Sequence, residues 1–194
     1  DLKSFKALGG AYAVADLARD FILKGGKVDD YVVTTATDGN HGRSVAWGAK
    51  LAGCKAKIYI HAHVSKSRET AMQDLGAEVI KINGNYEASL SACKNDAEKN
   101  GWHIVSDTSW EGYTDIPRQV MAGYSVIATE CLSQLKATNP SHAFLPVGVG
   151  GLAGGVTAPF LHRMENELFK VISVESNMSA CFLESIESSH PTLV

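Results

Sequence analysis

Short β-branched runs alternate with helical segments along much of this chain, and the alternation restricts the folds open to it. The run YVVTTAT at 31–37 has the composition of a buried strand, and a helix is predicted from His41 to Ala52, ending at Gly53. The runs CKAKIYIH and EVIKIN are predicted as further strands, separated by helices and joined by short connections. Strands connected in this way lie in parallel sheets with right-handed crossovers, so the sequence predicts an α/β protein.

The regular alternation of predicted strands and helices changes near residue 113, and this change predicts two units. One unit is the inner α/β segment 29–117, and the other combines the opening helix of 1–28 with residues 118–194. The chain does not begin with methionine, and its last segment follows a strand without closing the fold. We therefore expect a chain that is incomplete at both ends.

Charge and cysteine content exclude several classes of function. The net charge of −3 offers no basic surface for nucleic acid or an anionic membrane, and no apolar run reaches the ~18 residues of a membrane span. The four cysteines occur singly, which is typical of reduced thiols in the cytoplasm. The seven histidines lack the spacing of metal ligands, so no metal site is predicted.

A glycine-rich turn, GVGGLAGG at 148–155, lies between a predicted strand and a predicted helix. Glycines allow close approach of an oxyanion, and the helix start supplies N–H donors, so a phosphate is the natural ligand. The same turn could be only a tight connection. Since Glu175 ends the next strand, a dinucleotide site also stays open.

Lys6 stands near the start of the first helix, between apolar residues. An amine in an apolar setting, close to the positive end of a helix, can serve as a nucleophile. The alternative is an ordinary surface lysine in a first turn.

Asp38 and Asp107 each follow a predicted strand. Ligands of open α/β sheets lie beyond the carboxyl ends of the strands, so the two carboxylates could be an acid–base pair or a metal pair. They could equally be caps of turns or helices. His41 is expected to bond the backbone of its turn.

Three motifs together, Lys6 in SFK, Asn40 in GNHG and the loop GVGGLAGG, resemble the fold type II enzymes that use pyridoxal phosphate. The similarity runs along nearly the whole chain and implies a tryptophan synthase β-like fold, a homodimer and pyridoxal 5'-phosphate as cofactor. It implies that Lys6 bonds the cofactor aldehyde, that Asn40 contacts the phenolic oxygen of the ring, and that the unit containing 118–194 is the large, phosphate-binding domain. The residues implied to bind the phosphate are Gly148, Val149, Gly150, Gly151 and Leu152.

Two stretches narrow the resemblance. TATDGNHGR carries Asp38 where threonine and serine dehydratases usually have serine, and DTSWEGYTDIP contains Asp107. Both look like the diaminopropionate ammonia-lyases, which implies elimination of ammonia from D- and L-2,3-diaminopropionate to give pyruvate. In that scheme Asp38 removes the α-proton of the D isomer, Lys6 removes that of the L isomer, and Asp107 orients the leaving β-ammonium. The residues implied to contact the substrate are Asp38, Gly39, His41, Asp107 and Tyr113.

Two alternatives remain at this point. One is a threonine or serine dehydratase with an unusual turn, and the other is a cofactor-free binding module on the same scaffold. The interval between Lys6 and Asp38 is shorter than the resemblance leads us to expect, and the partner of the pyridine nitrogen is expected beyond residue 194. We therefore expect the chain by itself to be inactive or weakly active.

Overall fold

Two parallel sheets carry the strands within residues 2–135, 139–164 and 169–192, which the computed structural model describes. The first sheet has four strands in the order β3-β2-β1-β4, and the second has β5 beside β6. Every strand pairing within these sheets is parallel, which confirms the predicted α/β class. The strands are β1 Val32–Ala36, β2 Lys55–His61, β3 Glu78–Ile82, β4 His103–Ile104, β5 His142–Pro146 and β6 Lys170–Val174.

Helices connect successive strands, as parallel pairing requires. The helix predicted after β1 begins at Asn40 and ends at Ala52, followed by Gly53 in the left-handed conformation, which suits a residue without a side chain. The other connections include a short 3-10 turn, Val28–Asp30. The α-helices are α1 Lys6–Leu23, α2 Asn40–Ala52, α3 Lys66–Gln73, α4 Tyr86–Asn100, α5 Asp115–Leu135, α6 Gly151–Arg163 and α7 Cys181–Ser188.

The chain divides into two compact units, Asp1–Val120 and Met121–Val194. Helix α5 crosses this boundary, and α1 belongs to the first unit. The division proposed from the sequence, with 1–28 joined to 118–194 and 29–117 apart, stays a prediction about the domains of the whole protein.

The core of the first unit lies on both faces of its sheet. Val33 of β1 and Ile58, Tyr59 and Ile60 of β2 are fully buried. Strands covered on both faces carry apolar or β-branched residues at consecutive positions, which explains why YVVTTAT does not alternate.

Small residues let α1 and α2 pack closely. A Cβ added at Gly48 would lie 2.7 Å from the Cα of Ala11, and one at Gly10 would lie 2.4 Å from the Ser44 hydroxyl. That hydroxyl accepts a hydrogen bond from the Ala11 N–H (3.0 Å) and donates one to the carbonyl oxygen of Lys6 (2.6 Å). The helix pair therefore fixes the main chain at Lys6.

In the second unit, α6 packs against the part of α5 that follows Met121. Ala128 of α5 and Val156 and Phe160 of α6 are buried together, and the Phe160 ring stacks on Phe169 with centroids 5.2 Å apart. Among the helices of the described residues, none has both the length and the apolar character that a membrane crossing requires.

Candidate active site

The turn between β1 and α2 is organised by a side chain that the sequence did not single out. The Thr37 hydroxyl accepts hydrogen bonds from the N–H groups of Gly39 (3.0 Å) and Gly42 (3.1 Å). The first main-chain bond of the helix runs from the Arg43 N–H to the Gly39 carbonyl oxygen. The amides of residues 40 and 41 precede that bond and therefore have no acceptor within the helix, which leaves them available to an anion.

Asp38 lies in this turn with its side chain 61% exposed. One carboxylate oxygen, Oδ1, lies 3.0 Å from Nε2 of His61, the last residue of β2. The main chain of Asp38 is held separately, because Arg68 donates a hydrogen bond to its carbonyl oxygen at 3.0 Å. Neither His61 nor Arg68 belongs to a motif that marks it as a site residue in the sequence. The strand register could have indicated His61, since β1 and β2 are adjacent.

Asp107 follows β4, the other neighbour of β1, and has a different environment. Its Oδ2 accepts a hydrogen bond from the Lys6 ammonium, and it lies 3.7 Å from Nδ1 of His41. The side chains of Asp107 and Lys6 are only 18% and 26% exposed. The structure thus brings together Lys6, His41 and Asp107, residues that are far apart in the chain.

The charges around Asp107 keep it ionised despite its burial. Burial by itself would raise the pKa of the Asp107 carboxyl, but the nearby imidazole of His41 and the ammonium of Lys6 lower that pKa below its ordinary value. The carboxylate is therefore a partly buried anion that binds a primary ammonium.

His41 links the α2 start to the end of the β4 segment. The sequence led us to expect a hydrogen bond from His41 to the backbone of its own turn. Instead, its Nε2 donates to the carbonyl oxygen of Val105, just after β4, at 2.8 Å. Its Nδ1 is buried and makes no hydrogen bond within the described residues. A buried imidazole nitrogen without a hydrogen bond, close to Asp107, is a position where a polar group of a ligand can bind.

Tyr86, the first residue of α4, lies within electrostatic range of both carboxylates. Burial raises the pKa of the Tyr86 phenol to about 12, with further contributions first from Asp107 and then from Asp38. Its ring packs on the cluster of Ala36 and Tyr59. Tyr86 could not be recognised from the sequence, because it opens a helix that carries no recognisable motif.

The stretch DTSWEGYTDIP folds into a tight turn closed by an isolated bridge between Trp110 and Tyr113. The two rings stack with centroids 4.0 Å apart. The Tyr113 hydroxyl donates to the Ile104 carbonyl oxygen (2.8 Å) and accepts from the Ser106 N–H (3.0 Å). It thereby supports the backbone that leads to Asp107, and its predicted contact with substrate stays a prediction.

The glycines of GVGGLAGG have two different roles. A Cβ at Gly148 or Gly150 would meet no atom of the described residues within 4 Å, and Gly150 has a φ of +89°, a conformation that favours glycine. By contrast, a Cβ at Gly155 would lie 2.4 Å from the Met121 carbonyl oxygen, and one at Gly154 would lie 2.6 Å from the Met121 side chain. The first glycines therefore leave open space above the loop, whereas the last two allow α6 to pack on α5.

The start of α6 offers backbone donors to that open space. Gly150 is its N-cap, and none of the side chains that the structure describes caps the helix. The first main-chain bond of the helix runs from the Gly154 N–H to the Gly150 carbonyl oxygen, so the amides of residues 151–153 have no acceptor within the helix. This arrangement suits a phosphate.

Glu175, the residue that kept a dinucleotide site open, is used within the fold. Its two carboxylate oxygens accept hydrogen bonds from the N–H groups of Phe182 and Leu183, each at 2.9 Å, at the start of α7. A carboxylate that caps a helix in this way is engaged by main chain, which removes the support for its binding a ribose. Within the described residues, no group of three or more His, Cys, Asp or Glu side chains could hold a metal ion.

Residues 2–194 match the family described as "Pyridoxal-phosphate dependent enzyme". The chain belongs to this family. The match covers nearly every residue and confirms the resemblance drawn from Lys6, Asn40 and the glycine loop.

Among relatives of this pyridoxal-phosphate family, diaminopropionate ammonia-lyase of Escherichia coli K12 is 36% identical over 197 residues, which cover 95% of this chain and 50% of the relative. The biosynthetic L-threonine dehydratase of Escherichia coli K12 is 32% identical over 189 residues, covering 97% of this chain and 33% of the relative. The crystal structure of the Escherichia coli diaminopropionate ammonia-lyase in complex with D-serine is 35% identical, with a TM-score of 0.91, over 98% of this chain and 52% of that chain. This chain thus spans about half the length of the ammonia-lyases that it matches.

The residues present fit the family's cofactor. The open, donor-rich loop before α6 suits a phosphate, and Lys6 supplies a primary amine with partial solvent access. Asn40, at the first position of α2, is exposed and has an amide available beside it. The roles of the individual residues toward the cofactor remain predictions.

Proposed function

We propose that the protein of which this chain is part eliminates ammonia from D- and L-2,3-diaminopropionate and releases pyruvate. The observation that carries the proposal is the different state of two carboxylates at the ends of adjacent strand segments. Asp107 binds a primary ammonium in a partly buried setting, and Asp38 stands exposed at the neighbouring strand end. A substrate with two amino groups and two accepted configurations requires an anionic contact for its β-ammonium and a second base.

Pyridoxal phosphate, when bound, supplies an electron sink for the negative charge that forms at the α-carbon. We assign its phosphate to Gly148, Val149, Gly150, Gly151 and Leu152, its aldehyde carbon to Lys6 and its ring oxygen to Asn40. These assignments are supported by the family match and by the open backbone donors of the loop.

Proton transfer at the α-carbon falls to two different side chains in this proposal. The Lys6 amine, once it no longer bonds the cofactor, would take the proton of the L isomer, and the Asp38 carboxylate would take that of the D isomer. The exposure of Asp38 supports this role, because a base that receives a substrate proton must be accessible. The D-serine complex of the Escherichia coli relative supports a site that admits a D amino acid.

The remaining polar groups bind and orient the substrate. The free amides of Asn40 and His41 would receive its carboxylate, close to Gly39. Asp107, which binds the Lys6 ammonium in this structure, would bind the β-ammonium and keep it protonated, so that it can leave as neutral ammonia. We place Tyr113 at the same pocket through its support of the Asp107 backbone.

The test is an assay of the full-length protein with four substrates, D- and L-2,3-diaminopropionate, L-serine and L-threonine. We expect pyruvate and ammonia from both diaminopropionate isomers, at rates well above those for the hydroxy amino acids. Turnover restricted to L-serine and L-threonine would instead identify a dehydratase. This alternative function is supported by the threonine dehydratase relatives. No turnover and no cofactor binding would identify a binding module.

We further propose that the active protein is a cytoplasmic homodimer. Exposed apolar side chains of α1 and α2, namely Ile22, Leu23 and Leu51, line a surface groove and would be covered by association. The free thiols of Cys54, Cys93, Cys131 and Cys181 suit a reducing compartment. Light scattering of the full-length protein tests the dimer, and fractionation of cells that produce it tests the compartment.

A further inference from the structure

His61 occupies the position on β2 that lies level with Asp38. Ala36 of β1 is paired in register with Tyr59 of β2, and the Thr37 N–H continues the ladder by donating to the Tyr59 carbonyl oxygen at 3.0 Å. Two residues beyond that pair, the segments that continue β1 and β2 reach Asp38 and His61. Because β2 extends to residue 61 while β1 ends at residue 36, the strand holds the imidazole beside a turn.

The protonated nitrogen of this imidazole follows from its other contact. The main-chain N–H of His63 donates a hydrogen bond to Nδ1 of His61 at 3.2 Å, so Nδ1 must carry a lone pair. A neutral imidazole with an unprotonated Nδ1 carries its proton on Nε2. That nitrogen is the atom that lies 3.0 Å from Oδ1 of Asp38, and the His61 side chain is only 17% exposed.

Asp38 has no other side-chain partner among residues 2–135, 139–164 and 169–192. Arg68 binds only its main-chain oxygen. Without His61, the carboxylate would be free to rotate in solvent, and a base that samples many orientations is rarely aligned with the proton it must take.

We propose that His61 is the positioning residue for Asp38: its Nε2 lies 3.0 Å from Oδ1 and restricts the orientation of the carboxylate toward the substrate. This inference rests on the proposed function, in which Asp38 is the base for the D isomer. His61 should therefore affect the rate for the D isomer only, because the L isomer gives its proton to Lys6. The contact therefore determines how well the enzyme uses one substrate configuration relative to the other.

The first experiment compares kcat for D- and L-2,3-diaminopropionate in the full-length protein and its variants. His61→Leu removes the donor, whereas His61→Gln keeps an N–H at the reach of Nε2. We expect His61→Leu to lower kcat for the D isomer roughly ten- to hundredfold, the size of a lost hydrogen bond to a charged group, and to leave the L isomer within about twofold. His61→Gln should restore most of the D activity.

The matched control is His142→Leu, the same substitution at an exposed histidine that begins β5 in the second unit. It should leave kcat for both isomers unchanged. An equal fall for both isomers in His61→Leu, or no fall for either, would overturn the inference.

A second measurement does not depend on catalysis. Long-range proton–nitrogen spectra of the full-length protein, with labelled histidine and the His61 signals assigned from His61→Gln, should show the Nε2–H form and should shift in Asp38→Asn. An Nδ1–H form, or signals that do not change in Asp38→Asn, would refute the contact.

Failure of this inference can be distinguished from failure of the proposed function. Absence of turnover of either isomer by the wild-type protein would overturn the proposed function and this inference with it. Wild-type turnover of both isomers, unaltered in His61→Leu, would overturn this inference alone.

Discussion

Two aspartates follow neighbouring strands of one sheet, yet the fold treats them differently. Asp107 is largely enclosed, binds Lys6 and approaches His41, whereas the Asp38 carboxylate is mostly exposed and lies beside the His61 imidazole. The glycine loop repeats the division, because Gly155 is packed against main chain and Gly148 has open space. Residues of the same type therefore fall into two groups: some are fixed by packing, and others are left open to a ligand.

The largest expected effect on turnover comes from removing the Lys6 amine, which binds the enclosed Asp107. Lys6→Ala should lower pyruvate formation from both isomers at least about 10⁴-fold, because one substitution removes both the cofactor link and the base for the L isomer. The measurement is steady-state release of pyruvate by the full-length protein.

Borohydride reduction followed by peptide mass analysis supplies the control. The wild-type protein should carry a pyridoxyl group on Lys6, and Lys6→Ala should carry none at that peptide. If the variant turned over substrate at the wild-type rate, Lys6 would have no part in the reaction. The proposed chemical difference between Asp107, which binds Lys6, and the exposed Asp38 would then be wrong.

Removing the open carboxylate should affect one isomer only. Asp38→Asn should lower kcat for the D isomer about 10²- to 10³-fold and change the L isomer by less than about threefold, since a general base contributes effects of this size. The free energy of unfolding should move by less than about 0.5 kcal/mol, as expected for an exposed side chain. Equal losses for both isomers would mean that Asp38 serves a step common to both.

The glycine pair tests the same division without any substrate. Gly155→Ala should lower the free energy of unfolding by about 1–3 kcal/mol, because its Cβ would lie 2.4 Å from the Met121 carbonyl oxygen. Gly148→Ala is the matched control and should change that free energy by less than about 0.5 kcal/mol while weakening pyridoxal phosphate binding. Urea denaturation and cofactor titration measure the two effects, and the reverse order of stabilities would contradict the division.

The smallest expected effect is a pH dependence of the stability that the ion pair between Asp107 and Lys6 contributes. The pKa of Asp107 is lowered in the folded protein, so its ion pair contributes stability that is present above the ordinary aspartate pKa and is lost as pH falls through the folded value. We expect Asp107→Asn to cost about 1–2 kcal/mol near neutral pH. The difference between wild type and variant should shrink below about pH 4, which urea denaturation at successive pH values measures. A difference that stayed constant down to pH 2 would show that Asp107 is not held as an anion.

Most elements of the fold could be predicted from local sequence, and the partners in the site could not. The β-branched run before Asp38, the helix that ends at Gly53 and the parallel pairing all follow from residue patterns that act over a few positions. Thr37 and Tyr86 were missed, because a hydroxyl that caps a turn and a tyrosine that opens a helix have no distinctive spacing.

The sequence by itself determined the α/β class, the family and the set of polar residues that end the strands, because strand and helix periodicities and short motifs are local properties of the chain. Only the tertiary structure decided that Lys6 meets Asp107 across 101 positions, that Asp38 meets His61 through the strand register, and that some glycines of one loop are open and others packed. Such pairings depend on register and helix packing, which many weak contacts set together, and no single stretch of sequence encodes them.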